Sequence, residues 1–197
     1  MASLVGLEGL TLGHLASELD LSKSGLFAHF GSKERLQIEV LRLAAESFVL
    51  QVVRPAISEP RGAPRVEALF ERWLAWSGSQ DRPGGCVFVA ASTEVDDRSG
   101  PVRDAVESTQ RAWLGTLARA CRIAQEEGHY GADIEPEQFA FELQGLLLSF
   151  HHQARLMKNP HAVERARRAF AALVARASAG APHIVSSNLK HPSEKPS

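Results

Sequence analysis

The chain has 197 residues, of which 44% are apolar, so it can bury a sizeable core in one large or two small domains. Its 22 lysines and arginines nearly balance 23 aspartates and glutamates, for a formal net charge of -1. Bulk electrostatics therefore does not draw it to nucleic acid, and any phosphate-binding surface has to be local. One tyrosine, nine phenylalanines and glycines gathered in short stretches disfavour a many-stranded β architecture.

Met1 to Leu10 lack a basic start followed by a long apolar core, and no stretch approaches the roughly 20 apolar residues of a membrane span. The reading is a cytoplasmic protein without membrane insertion. Cys86 and Cys121 form neither a CxxC pair nor part of a ligand cluster, which suits a reducing compartment.

In chain order, Leu12, Leu15, Ala16 and Leu19 recur at helical spacing behind Thr11, whose hydroxyl can cap the first turn. Asp20-Leu21-Ser22 interrupts this helix. Ser22 can cap the next, which carries Leu26, Phe27 and Phe30 inward and stops at Gly31. Ser32, Glu34 and Arg35 open a longer helix with an apolar stripe from Leu36 through Val40, Leu43, Ala44 and Phe48 to Val52, ending at Arg54-Pro55. Three prolines in residues 55–64 predict a linker or loop.

A helix then carries Val66, Leu69, Phe70, Trp73, Leu74 and Trp76 to Gly78. The apolar run from Gly84 to Val95 has no decisive period and is assigned to helix from its surroundings. Gly100-Pro101 opens a long helix to Gly128, since proline loses no bond in a first turn. Two more follow, at 135–158 and 161–177, separated by Asn159-Pro160. Residues 178–197 are small, polar or proline and predict a disordered tail. The fold class is all-α: an N-terminal helix-turn-helix unit with its connecting helix (1–54) and a larger helical domain (55–177).

A helix-turn-helix reads the major groove with its second helix, which must be polar outside and anchored beneath. Residues 22–30, SKSGLFAHF, meet that demand: Ser22, Lys23 and Ser24 lie at the helix N-terminus, where they can meet phosphates and base edges. His29 and Lys33 stand at its exit.

The segment 6–36, GLEGLTLGHLASELDLSKSGLFAHFGSKERL, resembles the DNA-binding signature of the tetracycline-repressor (TetR) family. The matching elements are Gly6 with Thr11, Leu15-Ala16, Leu-Ser-Lys-Ser-Gly-Leu-Phe at 21–27, and His29-Phe30-x-x-Lys33-Glu34-x-Leu36. The resemblance implies a homodimer on a palindromic double-stranded operator, most simply a repressor released by a small-molecule effector. On it Thr11, Ser22, Lys23, Ser24, Gly25, Phe27, His29 and Lys33 are the DNA-binding candidates. It also implies a dimer bundle made by the last two helices, with Phe139, Leu143, Leu146, Leu147, Phe150, Phe170 and Leu173 as candidate interface residues and Phe150→Asp as a monomerising change.

Three departures from the family stand out. Only Ala2 to Val5 are present for the helix that precedes the first glycine, which leaves the undersides of Leu15, Leu19 and Leu26 uncovered. Phe27 stands where tyrosine is frequent. Lys23, Lys33, Arg35, Arg42 and Arg54 are opposed by Glu8, Glu18, Asp20, Glu34, Glu39 and Glu46, which weakens attraction to DNA. The alternative these departures motivate is a helical ligand-binding or protein-interaction dimer that no longer binds DNA.

Trp73, Trp76, Cys86, Phe88, Trp113, Leu117, Phe141 and His151 are candidates to line an effector cavity, although such residues are more often plain core. Glu94 to Arg98 reads as a solvated, capped turn, the other option being acids facing the cavity. His151-His152 is not read as a metal site, because adjacent helical residues diverge by about 100° and no partner stands at i+4. No metal or cofactor is expected, and no motif of an enzyme is present.

Overall fold

A computed structural model of the chain describes residues 1–79 and 84–181, and every regular element among them is helical. In order these are α1 (Ala2–Gly9), α2 (Leu12–Leu19), α3 (Lys23–Phe30), α4 (Lys33–Phe48), a π-helical turn (Val49–Val53), α5 (Arg54–Ile57), α6 (Ala63–Gly78), α7 (Val87–Val95), α8 (Pro101–Glu126), α9 (Pro136–Arg155) and α10 (Ala162–Ala179).

The starts of the short helices follow from hydroxyl caps. Thr11 accepts from the amide of His14, Ser22 from that of Gly25 and Ser32 from that of Arg35, each satisfying a donor that the first turn leaves unpaired. Their ends are left-handed or glycine positions: Asp20 closes α2 at φ 51° and Gly31 closes α3 at φ 73°.

The loop expected at 55–64 is shorter than the prolines suggested. Pro55 lies inside α5 within a continuous helical path, and the π-turn just before it widens the bonding pattern instead of breaking it. Pro64 sits in the first turn of α6, so only residues 58–62 are non-helical there. At the other end, α10 runs through Ser178 to Ala179, two residues into the segment expected to be disordered. The Ala177 carbonyl accepts from the Gly131 amide at 2.8 Å, which ties the last turn of α10 to the turn between α8 and α9. Residues 182–197 of the expected tail lie outside the described residues.

One buried apolar cluster runs the length of the molecule, from Leu7, Leu10 and Leu36 through Phe48, Trp73 and Trp113 to Leu143, Leu147 and Phe170. α4 is the bridge: it begins beneath the helix-turn-helix and packs on α8. α9 lies between α8 and α10 and also touches α6. In this core Tyr130 is fully buried and its hydroxyl has no hydrogen-bond partner among the described residues. Burial pushes its pKa up, so it stays a neutral phenol. An unpaired buried hydroxyl costs about 1–3 kcal/mol. Tyr130→Phe is therefore expected to raise the thermal midpoint, as scanning calorimetry would read; a lowered midpoint would mean that the hydroxyl has a partner in solution.

Candidate nucleic-acid interface and effector cavity

The geometry of α3 follows from its i, i+4 pair. Leu26 and Phe30 share the face turned to the core and are partly buried, while Lys23, Ser24, Phe27 and His29 are exposed. Phe27 departs from the inward placement expected for it: it is 58% exposed. One residue on from Leu26 is a rotation of about 100° around the helix, so both cannot face the core. The ring thus lies on the outer surface, where it offers an apolar contact for a sugar or a thymine methyl.

Thr11 and Ser22 use their hydroxyls as caps, so their part is to orient α2 and α3. Gly25 lies close beneath this cap, and a Cβ there would stand 2.8 Å from Ser22 Oγ. The ring of His29 packs edge-on against Phe30 at 4.6 Å between centroids. Lys33 is not poised for phosphate. Its Nζ donates to the Glu8 carbonyl at 2.7 Å and to Glu8 Oε2 at 3.1 Å, binding the start of α4 to α1. The Glu8 carboxyl also takes Arg98 at 2.6 Å, and bonds from Lys33 and Arg98 hold its pKa below the usual carboxylate range. Of the undersides expected to lie bare, Leu19 is exposed, whereas Leu15 and Leu26 are partly covered.

Trp73, Cys86, Phe88 and Trp113 come together as expected, joined by Phe48, Val89, Thr109, Gln110 and Gln144, around a cavity between α4, α6, α7, α8 and α9. Its free volume is about 20 Å³, room for roughly one water. No charged side chain lines it. Trp113 Nε1 donates to Gln144 Oε1 at 2.9 Å, which turns the amide NH2 of Gln144 away from the indole. Gln110 Nε2 donates to the Phe88 carbonyl at 3.4 Å, leaving the Gln110 oxygen as an acceptor.

The other cavity candidates fall elsewhere. Trp76 lines an outer cleft of about 210 Å³ with Met1, Ala2, Ser3, Val40 and Ala44. Leu117 is core, at 1% exposure. Phe141 is 71% exposed on the outer face of α9, because Phe139, two positions and about 200° away, takes the core side. His151 is partly buried beside Gly85, with Nε2 unpartnered among the described residues; burial first, then Arg155 and His152, depress its pKa. Gln110 and Gln144 were missed, although each carries a legible signal: a polar residue on an apolar face, three before Trp113 in one case and beside Leu143 and Leu147 in the other.

Most of the candidate interface residues face inward within the subunit. Phe139, Leu143, Leu147, Phe150, Phe170 and Leu173 are buried in the subunit's own core, and Leu146 packs against it. A regular apolar stripe on a helix does not say which partner covers it, and here α6, α8 and α10 cover it first. Phe150→Asp would bury a charge inside the subunit. Exposed large apolar groups here are Phe141 and Leu148 on α9, Leu156 and Met157 just beyond it, and Val163 at the start of α10.

Glu94 does not face the cavity. Its carboxylate accepts from the amides of Leu7 and Glu8, and Arg98 pairs with Glu8, so the 94–98 segment contacts α1. Cys86 and Cys121 are both buried, and burial pushes the Cys121 thiol up to about 11. Among the described residues no group of three or more His, Cys, Asp or Glu gathers as a metal site, and no helix is long and apolar enough to cross a membrane.

Residues 1–40 match the description of bacterial regulatory proteins of the tetR family, and residues 62–170 match the tetracyclin repressor-like C-terminal domain. The HTH-type transcriptional repressor NemR of Escherichia coli is 25% identical over 162 residues, covering 82% of this chain and 81% of that protein. A TetR-family transcriptional regulator from Streptomyces coelicolor has a similar structure, with a TM-score of 0.76, 21% identity, and 90% and 92% of the two chains covered. AibR, solved in complex with isovaleryl coenzyme A and operator DNA, gives a TM-score of 0.62 at 19% identity over 74% of this chain and 77% of that one.

Proposed function

The chain belongs to the tetR family of bacterial regulatory proteins, and on that premise we propose that it is a dimeric cytoplasmic repressor that leaves a palindromic operator when a small molecule enters the cavity around Trp73 and Trp113. The observation that carries the DNA half is the exposed face of α3, where Lys23, Ser24, Phe27 and His29 stand clear of a helix seated by Leu26 and Phe30. The AibR complex, which holds both an acyl coenzyme A and operator DNA, supports pairing the two kinds of partner on this fold.

The effector class follows from the lining. Aromatic walls without charge favour a flat, neutral molecule, and the Gln144 NH2 with the Gln110 oxygen suits one that carries both an acceptor and a donor. Because the cavity holds little more than a water, such a molecule has to push its walls apart to enter. The outer groups Phe141, Leu148 and Val163 are the surface for the second subunit.

Selection from a pool of random duplexes by the full chain at fixed salt tests the reading. Enrichment of a palindrome with half-site centres about one helical turn apart is expected; no preference over random duplex would overturn it. Lys23 makes no ion pair with the flanking acids. Lys23→Ala should therefore weaken binding to all duplexes alike and reduce the slope of log affinity against log salt by about one per subunit. An unchanged slope would remove Lys23 from the phosphate contacts.

A further inference from the structure

We propose that Glu94 is a positioning residue for DNA reading: it clamps α1 to α7 and so fixes the reading unit at the angle its operator requires. The inference rests on the DNA-binding reading above and adds to it the residue through which the cavity reaches the DNA.

Two helices approach here from distant parts of the chain. The Glu94 carboxylate accepts from Leu7 N at 3.1 Å and from Glu8 N at 2.9 Å. Gly6 makes this possible. At φ 74° and ψ 173° it breaks the helical path inside α1, and the two amides that follow lie within reach of the carboxylate. A Cβ at residue 6 would stand 2.4 Å from Glu94 Oε1, and the φ of 74° is itself a conformation that L side chains rarely adopt, so glycine suits the position on both counts.

The same two residues are held from the other side. Buried Gln37, on α4, donates to the Leu7 carbonyl at 2.6 Å, and Lys33, three residues beyond the end of α3, holds the Glu8 carbonyl and carboxylate. Residues 7 and 8 are thus gripped by α7 through their amides and by α4 through their carbonyls.

The position of Glu94 on α7 gives this grip a consequence. Phe88 and Val89, near the start of the same nine-residue helix, line the cavity. Val89 and Glu94 are five residues apart, about 7.5 Å along a rigid helix. A cavity with space for one water admits no ligand without displacing a wall, and α7 is the shortest of the five helices or helix segments that form it. Displacing α7 carries Glu94 off the α1 amides, and the reading unit loses its fixed angle. Carboxylate bonds to backbone amides are charge-assisted and directional, which suits a joint that is either made or broken.

The test uses the full chain, Glu94→Ala and Glu94→Gln. Amide hydrogen exchange at Leu7 and Glu8 reads the clamp. Affinity for the selected palindrome and for versions with the half-sites moved by one or two base pairs reads the positioning. In Glu94→Ala, exchange at both amides is expected to accelerate about tenfold or more. The wild-type preference for one spacing is expected to flatten, with half-site spacing no longer discriminated. Tryptophan fluorescence and dimer mass should stay unchanged, and Glu94→Gln, which keeps one accepting oxygen, should lie between. Unchanged exchange would show that the bonds do not form in solution and would overturn the proposal. Faster exchange with the wild-type spacing preference intact would also overturn it, leaving Glu94 a merely structural contact. A wild-type chain that prefers no duplex would overturn the DNA-binding reading itself, and the positioning role with it; a lost clamp effect in an otherwise selective protein would overturn the positioning role alone.

Discussion

Phe70→Ala is expected to cost the subunit about 3–5 kcal/mol, a large fraction of the stability of a typical domain. Phe70 is 1% exposed and lies flat against Phe170, with ring centroids 4.1 Å apart and planes 5° from parallel. The pair joins α6 to α10, so truncation opens a cavity and loosens the helix that carries part of the outer face. Urea unfolding should show a lower midpoint with an unchanged slope, and sedimentation a weaker dimer. Phe141→Ala is the contrast, since that ring is exposed on the subunit. It should leave the urea midpoint of the isolated subunit nearly unchanged while weakening the dimer. If Phe70→Ala shifted the midpoint no more than a surface change does, the stacked Phe70–Phe170 contact between α6 and α10 would not form in solution.

Gly6→Ala is expected to detach α1 from α7. The backbone there lies in a region essentially reserved for glycine, at a cost of about 1–3 kcal/mol for any other residue. The added methyl also displaces the Glu94 carboxylate and with it both bonds to Leu7 and Glu8. Affinity for the selected duplex should fall about tenfold or more, equivalent to about 1.4 kcal/mol, whereas the urea midpoint should fall by no more than the backbone strain of about 1–3 kcal/mol, less than for Phe70→Ala. Gly115→Ala provides the control. It lies in the middle of α8, where a Cβ would meet nothing within 4 Å, so the same substitution there should stabilise the helix by roughly 1 kcal/mol. Equal DNA affinity in Gly6→Ala and wild type would contradict the account of α1.

What was legible in the sequence was local chemistry. Thr11, Ser22 and Ser32 announce three helix starts because a hydroxyl three residues before the paired amide is all that the cap needs. Leu26 with Phe30, and the long stripe from Leu36 to Val52, identify inner faces because burial follows the helical period. The period does not say what covers a face, and the interface residues were misplaced for that reason: the stripe through Leu143, Leu147 and Phe150 is covered by the subunit itself, while Phe141 and Leu148, on the less regular side, are left outward. Trp76 and His151 were grouped with the cavity by residue type, but only Trp73, Cys86, Phe88 and Trp113 share it.

Contacts between residues far apart in the chain were not legible at all. Glu94 lies 86 and 87 positions from the amides it holds, and no spacing rule links them. Lys33 matches a phosphate-binding position in the signature, yet its partner here is Glu8, whose approach depends on the turn at Gly6. Pro55 illustrates a milder limit. A proline read as a stop is absorbed by a π-turn five residues long, beside which Val52 and Ala56 are fully buried in the core.

If the cavity and the reading helix are two ends of one coupled device, each site's ligand changes the affinity of the other, and reciprocal titration reads this. Quinolin-2-one, a flat neutral lactam with one donor and one acceptor, would be titrated against the full chain by quenching of Trp73 and Trp113, with and without saturating selected duplex. The affinity for duplex would be measured with and without saturating lactam at the same salt. Linkage requires the two factors to be equal. Each partner is expected to weaken the other by the same factor, about tenfold, and Glu94→Ala is expected to remove the effect while the lactam still binds. Lactam that binds with an affinity unaffected by saturating duplex would contradict the claim.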